Sequence, residues 1–170
     1  MTRLVILAQR YLDKGIELLE HYLNRLGLNL NQEKTRRLDL RIDKKFEFLG
    51  FQFHRVINKK TKNRLILVEP SLASQKKCRA KVEQLINHNI PLRVKDQIAN
   101  VNLYLSGWTN YFRLGNSGKT LKALNQYVNK RVRRVIRRRK GKSGYGWHKI
   151  SSEDLYGRLG LFYNYKVQWL

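Results

Sequence analysis

Residues 121–139 read LKALNQYVNKRVRRVIRRR, and the apolar residues of this stretch recur every three or four positions. That spacing places one apolar stripe along an α-helix. The stripe consists of Leu121, Leu124, Val128, Val132 and Val135. At 100° per residue the opposite face carries Lys130, Arg133, Arg134 and Arg137. The sequence therefore predicts a helix with an apolar side for a core and a strongly basic side.

The basic run continues past this helix without counter-ions. From Lys130 to Lys149 there is no acidic residue, and none occurs between Asp96 and Glu153. The whole chain has 36 Lys and Arg against 12 Asp and Glu, a formal net charge of +24. Such a charge repels itself unless a polyanion relieves it, which favours nucleic acid as the partner. The alternative is a solvated face, but solvated helices usually interleave both signs of charge.

The glycine-rich segment after the helix adds aromatic side chains to the basic run. Gly141, Gly144 and Gly146 give a flexible connection, and Tyr145 or Trp147 could stack on unpaired bases of RNA. Trp147 could equally pack beneath the last helix. The candidate RNA-binding residues are Lys130, Arg131, Arg133, Arg134, Arg137, Arg138, Arg139, Lys140, Lys142, Tyr145 and Trp147.

Composition excludes several other classes of protein. With 42% hydrophobic residues and two prolines, the chain of 170 residues is expected to fold. Cys78 is the single cysteine, so no intramolecular disulfide forms, and the four scattered histidines give no zinc-site spacing. No apolar run reaches the length of a membrane span, and the amino terminus is too short in apolar residues for a secretory signal. We expect a cytoplasmic or equivalent reducing location.

The rest of the second half has helical periodicity. Ser71 is a candidate cap for one helix, and Pro91 is a candidate start for the next. In that next helix Trp108 and Phe112 lie on the apolar stripe and are expected in the core. Ser151 and Asp154 form a candidate capping box for a final segment.

The first half alternates strand and helix patterns. The run LVILA at residues 4–8 is typical of a covered strand, and a leucine stripe then predicts a helix that stops at Gly27. Alternation of Leu38, Leu40 and Ile42 predicts a half-buried strand. In KFEFLGFQFH the alternation slips at Gly50, which predicts a bulge or sharp bend there. RVINKKTKNRLILVEP predicts a hairpin with a polar loop.

Four blocks together resemble one family. LVILAQ, LGLNLNQEKT, FEFLGFQF and LSGWTNYF, in this order, are similar to group II intron-encoded reverse transcriptases, which also act as maturases for their intron. The resemblance implies an α+β chain: a partial reverse-transcriptase palm, strand-helix-strand plus β-hairpin, followed by an α-helical thumb and maturase domain. It places the palm remnant at residues 1–69 and the helical RNA-binding domain at 70–170.

The resemblance also implies roles for single residues. Thr2 and Arg3 stand where the family has its two metal-binding aspartates, so no catalytic or metal-binding residue is expected. Lys34 would face phosphate or primer, and the primer-grip-like residues would be Leu49, Gly50 and Phe51. The maturase-helix residues would be Trp108, Asn110, Tyr111 and Arg113. The alternative role of Lys34 is an exposed turn lysine.

These observations leave two main hypotheses. The first is an RNA-binding maturase for structured group II intron RNA, without polymerase activity by itself. The second is the carboxy-terminal half of an active reverse transcriptase that starts upstream, so that the activity belongs to a longer polypeptide or to a complex with a separate fingers-palm chain. No intrinsic cofactor is expected, with Mg²⁺ only alongside bound RNA or a complementing polymerase chain. A basic ribosome-bound protein would explain the charge but not the four ordered blocks.

Overall fold

The computed structural model describes residues 6, 11–31, 33, 35–39 and 45–168. Among these residues it has four α-helices, three strands and one short π-helical turn. The chain divides into two compact units, residues 1–43 and 44–170. No helix in the described ranges is both long and apolar enough to cross a membrane.

The first unit contains helix α1, Leu12–Arg25, as the leucine stripe predicts. Gly27 ends it in the left-handed conformation, with φ of 69°. The Leu28 N–H then donates to the Leu23 carbonyl and the Gly27 N–H to the Asn24 carbonyl, at 2.9 and 3.0 Å, which is a Schellman motif. None of the residues of α1 is buried, although its apolar stripe is typical of a core-facing helix.

The two strands predicted for this unit fall largely outside the described residues. Of the run at residues 4–8 only Ile6 is described, and it is not part of a strand. Residues 35–39 have no regular secondary structure, while Leu40 and Ile42 lie outside the described part. These two strands therefore stay predictions.

The second unit begins with an antiparallel sheet of order β1-β2-β3. The strands are β1 (Lys45–Phe48), β2 (Phe51–Ile57) and β3 (Arg64–Pro70). The sharp bend predicted at Gly50 is a two-residue hairpin turn, in which Leu49 and Gly50 have φ of 48° and 81°. Two positive φ angles are what a type I′ turn requires. Phe48 consequently pairs with Phe51 across the turn, which explains the slip in alternation.

Three helices follow the sheet. They are α2 (Leu72–Leu85), α3 (Val94–Phe112) and α4 (Gly118–Arg139). The Ser71 side chain caps α2 by accepting from the Ser74 N–H at 3.2 Å, as predicted. The Ser151–Asp154 capping box also forms, with reciprocal bonds of 2.9 and 3.0 Å, and precedes the π-helical turn Asp154–Arg158.

The start predicted for α3 at Pro91 is wrong by three residues. Arg93 is the N-cap, in an extended conformation with ψ of 149°. The buried Gln97 amide donates to the carbonyls of Ile90 and Leu92, at 3.3 and 3.1 Å. These bonds hold residues 90–92 in a turn outside the helix.

The core lies between α2, α3 and α4 and is closed by the carboxy-terminal segment. Its fully buried apolar residues include Val82, Ile86, Ile98, Val101, Leu105, Val128, Val132, Leu155 and Leu161. Phe112 is buried and Trp108 packs against this core, as the apolar stripe predicts. The fold is thus α+β, with a three-stranded sheet and several helices. The compact units divide at residues 43 and 44, so the sheet belongs with the helices, whereas the functional boundary at residues 69 and 70 stays a prediction.

Candidate nucleic-acid interface

One side of α4 carries a row of exposed cations, which we name the basic stripe: Lys130, Arg134 and Arg138. All three side chains are exposed. They are four residues apart, so they lie on one face at intervals of about 6 Å along the helix axis. None of them has an ion pair or hydrogen-bond partner within the described ranges. The basic stripe therefore presents exposed positive charge at fixed spacing.

Arg133 differs from its neighbours because it is buried, with 2% of its surface exposed. Its Nε donates to the Ile150 carbonyl at 2.9 Å, and its guanidinium lies over the Trp147 ring at 4.5 Å. Burial lowers the pKa of Arg133 by penalising the charged form. The sequence places Arg133 on the basic face, but residues 147–152 fold back over that part of the helix and cover it. Arg133 thus holds Ile150 and Trp147 against α4, through a hydrogen bond to the first and a cation–π contact with the second.

Three further arginines of α4 bond to backbone carbonyls. Arg131 Nε donates to the Ile86 carbonyl at the end of α2, at 3.2 Å, and Arg139 donates to the Ile90 carbonyl. Arg137 Nε and Nη2 both donate to the Ser143 carbonyl, at 3.1 and 2.8 Å. Cations that meet the carbonyl end of a helix also offset its dipole. Part of the arginine run thus fixes the fold around α4, while the side chains of the basic stripe are exposed.

The segment 141–150, here the glycine loop, is shaped by Arg137. Gly141, Gly144 and Gly146 have φ of 65°, 74° and 63°. A Cβ at Gly146 would lie 2.8 Å from Arg137 Cδ, so glycine permits this close approach. The loop holds Tyr145 and Trp147 with ring centroids 6.1 Å apart, 38% and 49% exposed. Trp147 thus has one face on Arg133 and still exposes half of its surface.

Two motifs far apart in sequence meet at the end of α3. The Tyr111 hydroxyl donates to the Leu49 carbonyl at 3.0 Å, and the rings of Phe51 and Phe112 lie 4.9 Å apart. A Cβ at Gly50 would meet Phe112 Cζ at 3.2 Å. The β1–β2 hairpin is therefore docked on the end of α3, a contact that the sequence did not predict.

The remaining residues of the maturase-helix prediction have local partners. The rings of Trp108 and Phe112 pack at a tilt of 38°, with their centroids 4.5 Å apart. Arg113 Nη1 donates to Asn110 Oδ1 at 3.3 Å. These contacts explain how the helix end is built, and a role of the same residues in RNA binding stays a prediction.

A protein-family model matches this part of the molecule. Residues 75–152 match the model of the group II intron maturase-specific domain. This segment of the chain is therefore similar to a group II intron maturase-specific domain. No curated protein matches the chain in the search of such proteins. The match confirms the resemblance to group II intron maturases that the sequence blocks indicate.

The matched segment, residues 75–152, contains most of the features described above. The match begins inside α2 and ends at Ser152, so it includes α3, α4, the basic stripe and the glycine loop. The docked hairpin precedes it. Two exposed lysines that the sequence analysis missed, Lys119 and Lys122, also lie on α4 within the matched residues. Lys119 lies about three helical turns before Lys130 and so lies near the same face, a signal that helical periodicity could have found.

Other predicted positions lie outside the described residues. These are Lys34, Thr2 and Arg3. Across the described part, no group of three or more His, Cys, Asp or Glu residues could hold a metal ion. Lys140 and Lys142 are exposed at the end of α4 and extend the positive surface around the glycine loop.

Proposed function

We propose that this protein binds structured group II intron RNA and assists its splicing. The maturase-specific domain supports a maturase-like role in intron splicing and implies intron RNA as the partner. The observation that carries RNA binding is the basic stripe, three exposed cations of α4 that have no partner among the described residues. Structured intron RNA supplies the phosphates that such a surface needs.

The arrangement suits a folded RNA backbone. Lys130, Arg134 and Arg138 stand on a rigid helix, so binding RNA costs little further ordering of the protein backbone. Arginine binds phosphate through two parallel N–H bonds, which favours Arg134 and Arg138 for close contacts. Tyr145 and Trp147, exposed next to this charge, would stack on bases that the RNA leaves unpaired. Arg133 and Arg137 would act indirectly, by holding the glycine loop.

We propose further that the chain by itself does not polymerise DNA. Two-metal polymerisation needs carboxylates. At the two positions where the resemblance places the metal-binding aspartates, this chain has Thr2 and Arg3. No intrinsic cofactor is required for the proposed role, and Mg²⁺ would enter with the RNA or with a complementing polymerase chain. We place the protein in the cytoplasm or an equivalent reducing compartment.

Filter binding with a folded group II intron RNA tests the RNA-binding role. We expect affinity to fall steeply with salt, because bound phosphates release counter-ions. The variant Lys130→Gln, Arg134→Gln, Arg138→Gln should weaken binding and lower the slope of log affinity against log salt by about three. Its matched control is Lys76→Gln, Lys77→Gln, Lys81→Gln, which removes the same charge from exposed positions of α2.

Two outcomes would contradict this function. Equal loss of affinity in both triple variants would mean that net charge alone attracts the RNA. Equal affinity of the wild type for duplex DNA of the same length would count against a maturase role, since the proposal requires folded RNA.

A second function is favoured by α1. Its residues are all at least partly exposed. Leu18 and Tyr22 in the helix, and Leu26 directly after it, expose more than half of their surface. A separate fingers-palm chain could cover these apolar side chains, which would make this protein the carboxy-terminal half of a reverse transcriptase. Primer extension with the chain alone and with such an upstream half distinguishes the two functions. Extension only in the combined sample would support the second.

A further inference from the structure

The loop between β2 and β3, which we name the hairpin tip (residues 58–63), has a well-defined backbone. The Asn58 N–H donates to the Asn63 carbonyl, and the Lys62 N–H to the Asn58 carbonyl, both at 2.8 Å. Asn58 Oδ1 also accepts from the Lys60 N–H at 2.9 Å. These bonds use backbone and asparagine atoms, so the lysine side chains of the tip are not needed for the turn.

The hairpin tip concentrates positive charge. Lys59, Lys60 and Lys62 lie in the tip and Arg64 begins β3, and all four are exposed. No acidic residue occurs between Glu47 and Glu69. None of the four side chains has an ion pair or hydrogen-bond acceptor within the described residues. Like charges at such close spacing repel each other, so the tip gains from an anionic partner.

The hairpin holds this charge at its free end. The β2–β3 ladder runs from Phe51 opposite Pro70 to Ile57 opposite Arg64. At the Pro70 end the hairpin is anchored, since the Asn116 N–H donates to the Val68 carbonyl and Asn116 Oδ1 accepts from the Val68 N–H, at 2.8 and 3.2 Å. Along β3, burial falls from buried Pro70 to exposed residues 64–66. The ladder therefore presents the tip as a rigid extension.

We propose that the hairpin tip is a second RNA-binding site, which contacts backbone phosphates of the same folded RNA at positions separate from those on the basic stripe. The proposal rests on the proposed RNA-binding function and adds a site outside the maturase-specific domain at residues 75–152. Three lysines act as flexible point charges, so they suit phosphate positioning and not base readout. The tip would therefore contribute affinity and orientation without sequence preference.

The test compares two variants of the full chain with equal charge. Lys59→Gln, Lys60→Gln, Lys62→Gln removes three charges from the hairpin tip, and Lys76→Gln, Lys77→Gln, Lys81→Gln removes three from α2. Filter binding to a folded group II intron RNA is measured from low to moderate salt. We expect the tip variant to bind at least about tenfold more weakly than the α2 variant, with a salt slope lower by two to three, since each lost phosphate contact lowers the slope by about one. Circular dichroism and thermal melting check that both variants fold.

Backbone footprinting of the bound RNA provides the second measurement. The tip variant should lose protection at one set of nucleotides, and the basic-stripe variant at another set. Identical footprints, or equal losses in the tip and α2 variants, would overturn the proposal. Tip-dependent sedimentation with phosphatidylglycerol vesicles, together with unchanged RNA binding, would also overturn it. If the wild type binds no RNA at all, the proposed function itself fails, which is a distinguishable result.

Discussion

Arg133 and Arg134 are adjacent in α4 but occupy opposite environments. Arg133 is buried and donates to the Ile150 carbonyl, whereas Arg134 is exposed in the basic stripe. Arg133→Ala would leave that carbonyl without its donor, at a cost of about 1–3 kcal/mol of unfolding free energy. Arg134→Ala should change stability by less than about 0.5 kcal/mol. It should instead lower the RNA salt slope by about one.

Urea denaturation and filter binding measure these two effects separately. Each variant is the control for the other, since both remove one arginine from neighbouring positions. Weaker RNA binding by Arg133→Ala at unchanged stability would show that we have assigned the two roles wrongly.

Gly50 is a second position where a single side-chain atom should change the stability of the protein. Its φ is 81°, and an added Cβ would lie 2.8 Å from Ser74 Oγ and 3.2 Å from Phe112 Cζ. For Gly50→Ala we expect a loss of about 1–2 kcal/mol from the left-handed backbone. Overpacking against the buried phenylalanine adds about 1–3 kcal/mol. Urea denaturation measures the total.

Gly144→Ala is the matched control, because Gly144 also has a positive φ, 74°, but nothing lies within 4 Å of the added Cβ. Its loss of unfolding free energy should therefore come from the left-handed backbone alone. If both variants lose the same stability, the hairpin is not packed tightly against α3.

At the scale of one element, the glycine loop combines a structural contact with an exposed aromatic surface. Trp147→Ala should weaken binding to an RNA with an unpaired base by about 1–3 kcal/mol, the usual value of stacking one base on an aromatic side chain. Binding to the fully paired form of the same RNA should change much less. Fluorescence of 2-aminopurine at the unpaired position, quenched by stacking, reports the contact directly.

Two variants separate stacking from folding in this experiment. Trp147→Phe keeps a ring over Arg133 and should retain most of the affinity. Tyr163→Ala removes another exposed aromatic side chain from the carboxy-terminal segment and should have no effect. An equal loss for paired and unpaired RNA would contradict stacking.

The elements also show what a sequence can and cannot predict. Sequence patterns were sufficient for α1, α4 and the β2–β3 hairpin, because apolar residues at helical spacing indicate the helices, and two apolar runs joined by a polar loop indicate the hairpin. It did not show the burial of Arg133, since that depends on where the glycine loop folds back, a contact between residues 17 positions apart. The docking of Leu49 against Tyr111 depends on a pair 62 positions apart, which local patterns do not encode.

At the scale of the whole molecule, the net charge of +24 couples folding to salt and to RNA. Without RNA, self-repulsion destabilises the folded chain, and added salt screens it. We expect the melting temperature of the free protein to rise between low and moderate NaCl. A ligand that binds only the folded state stabilises it by about 2.7 kcal/mol at a concentration of 100 Kd, so RNA should raise the melting temperature further.

The two effects should oppose each other as salt increases. Salt weakens RNA binding, so the increment in melting temperature caused by RNA should shrink while the melting temperature of the free protein rises. Scanning calorimetry with and without a folded intron RNA, across a salt series, measures both. A neutral polymer of similar size is the control, because it crowds the solution without supplying phosphate. An RNA increment that stays constant with salt would show that the stabilisation does not come from phosphate contacts on this basic surface.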